Sequence, residues 1–379
     1  MIRYIHALKD WPSLHWNQER IIPFLSAVRL RQGRLLGRME SLGFNFQEEA
    51  VLQTLTQDVV ESSGIEGEIL DKEQVRSSLA RRLGMDIGTL VPADRSVEGV
   101  VEMMLDATQR YAEPLTEERL FGWQAALFPT GRSGLTRLRL GAWRDDAGGA
   151  MEVVSGPIGK AHVHFEAPAA PRLPTEMTTL LNWFNNEPTT GGEASPPVSP
   201  HLDPVLKAGL AHLWFVTIHP FDDGNGRIAH ALADLALARS EGTGQRFYSL
   251  SAQIHRERKA YYDVLEATQR GELDVTEWLA WFLGCLDRAL IGAEETLGAV
   301  LKKAHFWERH RAEELNARQR LMLNRLLDGF TGKLTTSKWA TIAKCSQDTA
   351  LRDILDLMER RILRRDMTGG RSTSYSLVV

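Results

Sequence analysis

The chain has 379 residues, 43% of them apolar, 25% charged and 8% aromatic, and a formal net charge of −4, the balance of a soluble globular protein of two or three domains. No run is apolar for long enough to span a bilayer, and Met1-Ile2-Arg3-Tyr4-Ile5-His6 lacks the apolar stretch of a secretory signal. The two cysteines, Cys285 and Cys345, cannot build a disulfide framework, so a cytoplasmic location with no membrane partner is expected.

The first elements read as helices. Trp11-Pro12 and Trp16 precede a helical stretch through Phe24, Leu25, Val28, Leu35 and Leu36 that Gly43 ends. Its chemistry is silent, and it reads as packing or as the surface of a homo-oligomer. Gln47 to Glu61 sets Val51, Leu52, Leu55 and Val59 at helical spacing. It leads into Ser62-Ser63-Gly64-Ile65-Glu66-Gly67, where Ser62 and Glu66 share a face if the helix continues. Two helices separated near Pro114 are expected between Arg95 and Leu127. Pro129 to Pro174 turns to glycine and β-branched residues. Strands are expected there at Gly141-Ala142-Trp143-Arg144 and at Val153-Val154-Ser155-Gly156-Pro157, with a hairpin ending near His162-Val163-His164. His162 and His164 alternate and so share a strand face. A metal pair is one reading, but with no further Cys, His or Asp nearby a polar strand face is the favoured one. Asn185 to Pro204, dense in Pro, Gly, Ser and Thr, reads as a surface loop.

The segment richest in chemistry is His219-Pro220-Phe221-Asp222-Asp223-Gly224-Asn225-Gly226-Arg227, between the apolar helix of Ala208 to Phe215 and the Ala/Leu-rich helix of Ile228 to Ala238. Gly224 and Gly226 allow positive φ and close approach of the backbone to a ligand. The loop opens a helix, so free N–H groups and the positive end of the dipole face any anion there. Arg227 can fork onto phosphate oxygens, and Asp223 is a hard oxygen ligand suited to Mg²⁺. His219, with an unperturbed pKa near ~6.5, has a neutral form that accepts a proton at neutral pH. Pro220 and Phe221 shape and anchor the loop.

This stretch resembles the H-P-F-x-D-G-N-G-R signature of Fic-domain proteins, which typically move AMP from ATP onto a Ser, Thr or Tyr hydroxyl of a target protein. The resemblance implies that His219 is the general base, that Asp223 holds Mg²⁺, and that Gly224, Asn225, Gly226 and Arg227 hold the phosphates. The signature usually continues to a second arginine one turn on, which binds the γ-phosphate. This chain has His230 there, on the face of Arg227, shorter and unable to make the bidentate fork. Ser62 to Gly67 resembles the inhibitory motif [S/T]-x-x-x-E-[G/N] of regulated Fic proteins. It implies that Ser62, Glu66 and Gly67 form a brake whose carboxylate pairs at position 230, here weakly and with a dependence on pH. The strand region corresponds to the flap that docks the target's main chain. Beyond the loop, Arg256 to Leu286 is helical. There Tyr262, with Gln269 where the family carries Asn, is implied to hold the adenine; for Tyr261 and Tyr262 ordinary core packing is an equal reading.

From Ala317 to Val379 there are 12 Lys and Arg against 6 Asp and Glu, and the rest of the chain is acidic. Ser337 to Val379 looks like a winged helix: Trp339 to Lys344 as a first helix, Ser346 capping a second from Gln347 to Glu359, then two strands around Gly369-Gly370-Arg371. Gln347, Thr349 and Arg352 would face base edges, with Arg371, Ser372, Arg364 and Arg365 on phosphates. The expectation is a mainly α fold: a Fic helical core with a β-hairpin flap, an N-terminal helical segment and a C-terminal winged helix-turn-helix. The boundaries read are 1–94, 95–307 and 308–379. The leading function is an autoinhibited protein adenylyltransferase using ATP and Mg²⁺ on a target protein and on itself. The rival is a DNA-binding regulator with a nucleotide-sensing, weakly active core.

Overall fold

The structure is a computed structural model and describes residues 4–40, 44–87, 90–155, 162–185, 202–327, 330, 332–366 and 373–378. The chain divides into two compact units, Met1–Ala293 and Glu294–Val379. The fold is mainly helical, as the sequence leads one to expect, and among the described residues no helix is long and apolar enough to cross a membrane.

The first unit is built around α7 (Pro204–Ile218) and α8 (Asn225–Glu241), which pack on each other. From Val205 to Ile218 nearly every residue of α7 is buried, and α8 is buried from Arg227 to Ala238. A helix apolar all round belongs in a core, and these two form it. Asp203 caps α7, accepting a hydrogen bond from Val205 N at 2.8 Å, with Pro204 as the first helical residue. Around the pair lie α4 (Arg95–Gln109), α5 (Glu117–Leu127) and α6 (Leu173–Asn185). Gly99 of α4 is obligatory: a Cβ there would lie 1.8 Å from the carbonyl oxygen of Ala126 in α5.

The N-terminal helices are α1 (Gln18–Glu40), α2 (Phe44–Ile65) and α3 (Lys72–Leu83). On α1, Ile21, Val28, Gln32, Leu35 and Met39 form the buried stripe; Gly43, read as its end, lies outside the described residues. The sequence reading gave no element at α3, though its signals are present. Asp71 accepts from Gln74 N at 2.9 Å, and Gly84 closes the helix at φ 71°. Beyond the core come α9 (Leu250–Arg256), α10 (Arg258–Gln269) and α11 (Thr276–Arg309).

The strands are few. β1 (Arg132–Ser133) and β2 (Thr136–Arg137) make a minimal hairpin. β3 (Glu152–Ser155) and β4 (His162–Glu166) pair antiparallel, with Val153 opposite Phe165, Ser155 opposite His162, and a bulge between Val153 and Val154. Gly141 to Arg144, expected as a strand, is not one. Its backbone pairs with a loop instead: Arg144 N donates to Pro220 O at 2.9 Å. Most of the expected surface loop at 185–204 lies outside the described residues.

The second unit contains α12 (Ala317–Leu327), α13 (Thr336–Ile342), α14 (Gln347–Glu359) and the antiparallel strands β5 (Leu363–Arg365) and β6 (Tyr375–Leu377). Met322, Leu323, Trp339, Ala350, Ile354, Leu357, Ile362 and Tyr375 make its core. Thr335 and Ser346 cap α13 and α14 through side-chain oxygens. The first of these helices starts three residues earlier than the sequence pattern placed it, because Thr335 is the cap.

One buried charge cluster docks α2 on the core. Arg246, fully buried, pairs with Asp234 of α8 at 2.8 Å and with Glu241 at 3.4 Å, and the Ser249 hydroxyl donates to Asp58 of α2. Burial raises the pKa of Asp58 and of Asp234, and Arg246 opposes the rise in both. Removing the cation takes the partner of Asp234 and the counter-charge of Glu241 and Asp58, which keep Tyr248, Gln32 and Ser249 as donors. Arg246→Met is expected to cost about 3–5 kcal/mol at neutral pH, measured by urea unfolding; a loss under about 1 kcal/mol would contradict this placement.

Candidate functional site

The turn from α7 to α8 is held by its own residues. His219 is the C-cap of α7 in a left-handed conformation (φ 52°), its N–H donating to Phe215 O at 2.9 Å. A non-glycine residue there is strained, and the strain turns the imidazole into the cavity. His219 Nδ1 lies 3.2 Å from Val216 O. A carbonyl only accepts, so Nδ1 carries the proton and Nε2 keeps its lone pair. Burial lowers the His219 pKa to about 4, against the pull of that carbonyl, so the ring is neutral at physiological pH. Phe221 is fully buried among Phe121, Trp143 and Phe215. Gly224 sits at φ 86°, and a Cβ there would meet Phe128 at 3.0 Å.

Asn225 does something the sequence could not show. Its Oδ1 accepts from Phe221 N at 3.0 Å and its Nδ2 donates to Phe221 O at 2.8 Å. The amide is spent on closing the loop upon itself. Arg144, also buried, donates to His219 O at 2.8 Å and to Pro168 O at 2.5 Å. Asp222 accepts from Arg139 N at 2.8 Å. Asp223 takes Gly224 N at 2.6 Å and lines the cavity.

The second part of the site arrives at the end of α2. Gly67 has φ 86°, Gly67 N donates to Gly64 O at 3.1 Å, and Glu68 N donates to Ser63 O at 2.9 Å. These are the two bonds of a Schellman motif, with Gly67 as its left-handed residue. Ser62 is buried, its hydroxyl donating to Val59 O at 3.2 Å within the helix. The turn presents two carboxylates. Glu68 pairs with Arg227; Arg227 also lies over the Phe128 ring at 5.0 Å. Glu66 lies against the loop so closely that a Cβ on Gly226 would fall 2.2 Å from its Oε1.

Glu66 is open to cavity water on one side, its side chain 29% exposed, and walled in elsewhere. Burial pushes its pKa up to about 7, opposed by Arg227 and Arg258 and aided by Asp223. His230 is not its ionic partner. The Nε2 of His230 is 3.9 Å from Glu66 Oε1 and makes no hydrogen bond, and burial lowers the ring's pKa to about 4. Between those two pKa values both groups are neutral, and above them only Glu66 is charged. His230 packs against His212 at 4.9 Å between ring centroids.

Glu66 and His219 line two adjoining cavities. The larger, about 900 Å³, is bounded by Glu66, Glu68, Asp223, Gly224, Asn225, Gly226 and Arg227. The smaller, about 390 Å³, is bounded by Val154, His164, Val216, Arg258, Tyr262 and Gln269. His230 lines neither. The two tyrosines have different surroundings: Tyr261 is buried with its hydroxyl 2.9 Å from His212 Nε2, while Tyr262 faces the cavity and donates to Ile65 O at 3.1 Å. Gln269 donates to Thr217 Oγ1 at 3.3 Å. Arg258 was not singled out in the sequence, though it stands one turn before Tyr262 on the same helix face; its guanidinium lies over the Tyr262 ring at 5.6 Å. Glu68 and Arg144 carried no local signal.

In the second unit, Gln347 and Arg352 are exposed at the start of α14, and the hydroxyl of Thr349 is 2.9 Å from that of Ser346. Arg371 lies outside the described residues.

The central turn of the helical core joins an imidazole, a carboxylate, two glycines and an arginine above a cavity, chemistry suited to an anionic ligand. Residues 114–237 match the Fic/DOC family, and the chain carries a Fic/DOC domain. Residues 4–85 match a domain of unknown function, DUF4172. The chain is 26% identical over 247 residues to the protein adenylyltransferase Fic of Aedes aegypti, covering 64% of this chain and 42% of that protein. It is 34% identical over 96 residues to the protein adenylyltransferase fic-1 of Caenorhabditis briggsae, covering 24% and 17%. The chain thus spans less than half the length of these relatives. A crystal structure of a Fic family protein from Desulfovibrio desulfuricans shares the fold, with a TM-score of 0.53, 20% identity, and coverage of 96% of this chain and 97% of that one.

If Asn225 closes the loop, Asn225→Ala leaves a buried N–H and a buried carbonyl unpaired and lowers stability by about 1–3 kcal/mol. Thermal unfolding checks this; an unchanged midpoint would show that the loop is held by other contacts.

Proposed function

We propose that this chain is a protein adenylyltransferase that moves AMP from ATP to a Ser, Thr or Tyr hydroxyl of a protein, itself included, and that the carboxylates of the turn after α2 hold it back. The observation that carries the reading is His219, its Nδ1 3.2 Å from Val216 O, lining the same cavity as Gly224, Gly226, Arg227 and Asp223. In this reading His219 Nε2 takes the proton of the attacking hydroxyl. The new bond forms between that oxygen and the α-phosphorus, the bond to the β-phosphate bridging oxygen breaks, and pyrophosphate leaves.

The α8 N-terminus and Arg227 would hold the phosphates in the larger cavity, and Tyr262 and Gln269 the adenine in the smaller one. Asp223 would hold Mg²⁺, a hard cation that would neutralise charge on the departing phosphates. Asn225 keeps the loop in shape, and the second N–H of its amide would be the donor it offers the phosphates.

The brake is then two carboxylates from one turn. Glu68 occupies Arg227, and Glu66 fills the space over Gly226 while drawing on Arg227 and Arg258. A triphosphate has to displace both. His230, buried and neutral, gives no cation to either, and Arg258 is the cation facing Glu66 from the smaller cavity. Domain boundaries at 94/95 and 307/308, and the winged-helix reading of the second unit with DNA as partner, belong to the same proposal. On α14, Asp353 and Asp356 are paired with Arg318 and Arg360, and Asp348 stands beside the exposed Gln347 and Arg352.

Incubation of the purified chain with radiolabelled α-³²P-ATP and Mg²⁺ tests the proposal. Label on protein is expected to be weak in wild type, at least about tenfold stronger in Glu66→Gly, and absent when His219→Ala is added. Label that survives His219→Ala, or no label in any variant that still binds ATP, would overturn it and favour a nucleotide-sensing regulator.

A further inference from the structure

His162 and His164 share a strand face, and the structure adds what the local sequence lacked. Glu266 of α10 lies beside them, about a hundred residues away in the chain. His164 Nδ1 is 2.6 Å from Glu266 Oε2, His162 Nε2 is 4.0 Å from Glu266 Oε1, and the two imidazoles are 4.5 Å apart between centroids. One donor atom from each of the three lies within 4.8 Å of the others. We propose that His162, His164 and Glu266 bind one divalent transition-metal ion, zinc by the chemistry of the donors. The ion would be a staple between β4 and α10 at the rim of the smaller cavity. The proposal does not depend on whether the chain transfers AMP.

Two neutral imidazoles and a carboxylate are a ligand set for zinc. A tetrahedral zinc with bonds of about 2.0–2.1 Å needs donors roughly 3.3 Å apart. His164 and Glu266 are inside that span, and His162, on the exposed edge with its side chain 63% accessible, closes by a turn of its side chain. The fourth position would be left to water. The outer contacts are those a metal site uses to orient its ligands. Ser155 Oγ lies 2.6 Å from His164 Nε2, leaving Nδ1 for the ion, and Arg270 holds Glu266 Oε1 at 3.0 Å. Arg270 also fixes β4 by donating to His164 O at 3.1 Å and Val163 O at 2.7 Å. Its positive charge limits the affinity. Mg²⁺ prefers oxygen donors, so this site and Asp223 call for different ions.

Equilibrium dialysis of the chelator-stripped full chain against Zn²⁺, with Mg²⁺ in excess and metal counted by elemental analysis, tests the proposal. One zinc per chain is expected, with the affinity lowered at least about tenfold in His162→Ala and in Glu266→Gln. Co²⁺ in place of zinc is expected to give the intense visible absorption of a tetrahedral site in wild type. No zinc bound by wild type, affinity unchanged in both variants, or a cobalt spectrum like that of the free aqua ion would each overturn it. The cobalt spectrum is read on wild type and so stands even if a variant misfolds.

Discussion

The site turns on one close approach: the carboxyl group of Glu66 lies against Gly226, where a Cβ would fall 2.2 Å from its Oε1 and push the carboxylate aside. That contact joins the end of α2 to the start of α8. Three other features exist in its service. The Schellman turn at Gly67 stops α2 at the residue that aims Glu66 inward. Arg246 holds Asp234 of α8, and Ser249 beside it donates to Asp58 of α2, the helix that carries the turn. The Asn225 amide, closed on Phe221, keeps the α8 end from moving away. Buried contacts hold the helix end on both sides of the turn, and Glu66 stands on the cavity wall between them.

Burial also sorts the titratable groups. His219, His212 and His230 are all driven toward the neutral form, because a low-dielectric surround penalises an imidazolium. The same penalty acts on Glu66 with opposite sign, raising its pKa into the neutral range. The folded state therefore holds the Glu66 proton where the unfolded chain has lost it, and the stability tied to that proton falls away as pH rises from about 4.5 toward 7.

Much of this was legible in the sequence, for a physical reason. The loop from His219 to Arg227 compresses a base, a carboxylate, two glycines and a cation into nine residues, and such chemistry reads without a fold. The helices read equally well, α7 and α8 as apolar runs and α14 by its apolar spacing and its Ser346 cap. What failed to read was everything whose partner is distant in the chain. Gly141 to Arg144 has strand-like composition, but its partner is the backbone at Pro220. Asn225 pairs with Phe221, a partnership visible only once the loop closes. His230 was expected to face Glu66 as a charge, and one turn of spacing after Arg227 supported that. Only its burial shows that it stays neutral, with Arg258 facing Glu66 from another helix. Glu266, from α10, completes a cluster of which the strand showed only two members.

The most direct measurement is the rate of AMP transfer from pH 6 to pH 8 in wild type and in Glu66→Gly. His219 and His230 titrate near 4 and contribute nothing across this window. Glu66, with a pKa of about 7, passes from mostly protonated to mostly ionised, its charged fraction rising roughly tenfold. The ionised form is the one that competes for Arg227 and Arg258, so the advantage of Glu66→Gly over wild type is expected to widen several-fold as pH rises through 7. A ratio that stays flat, or one that narrows with rising pH, would contradict a brake that works through the charge of Glu66.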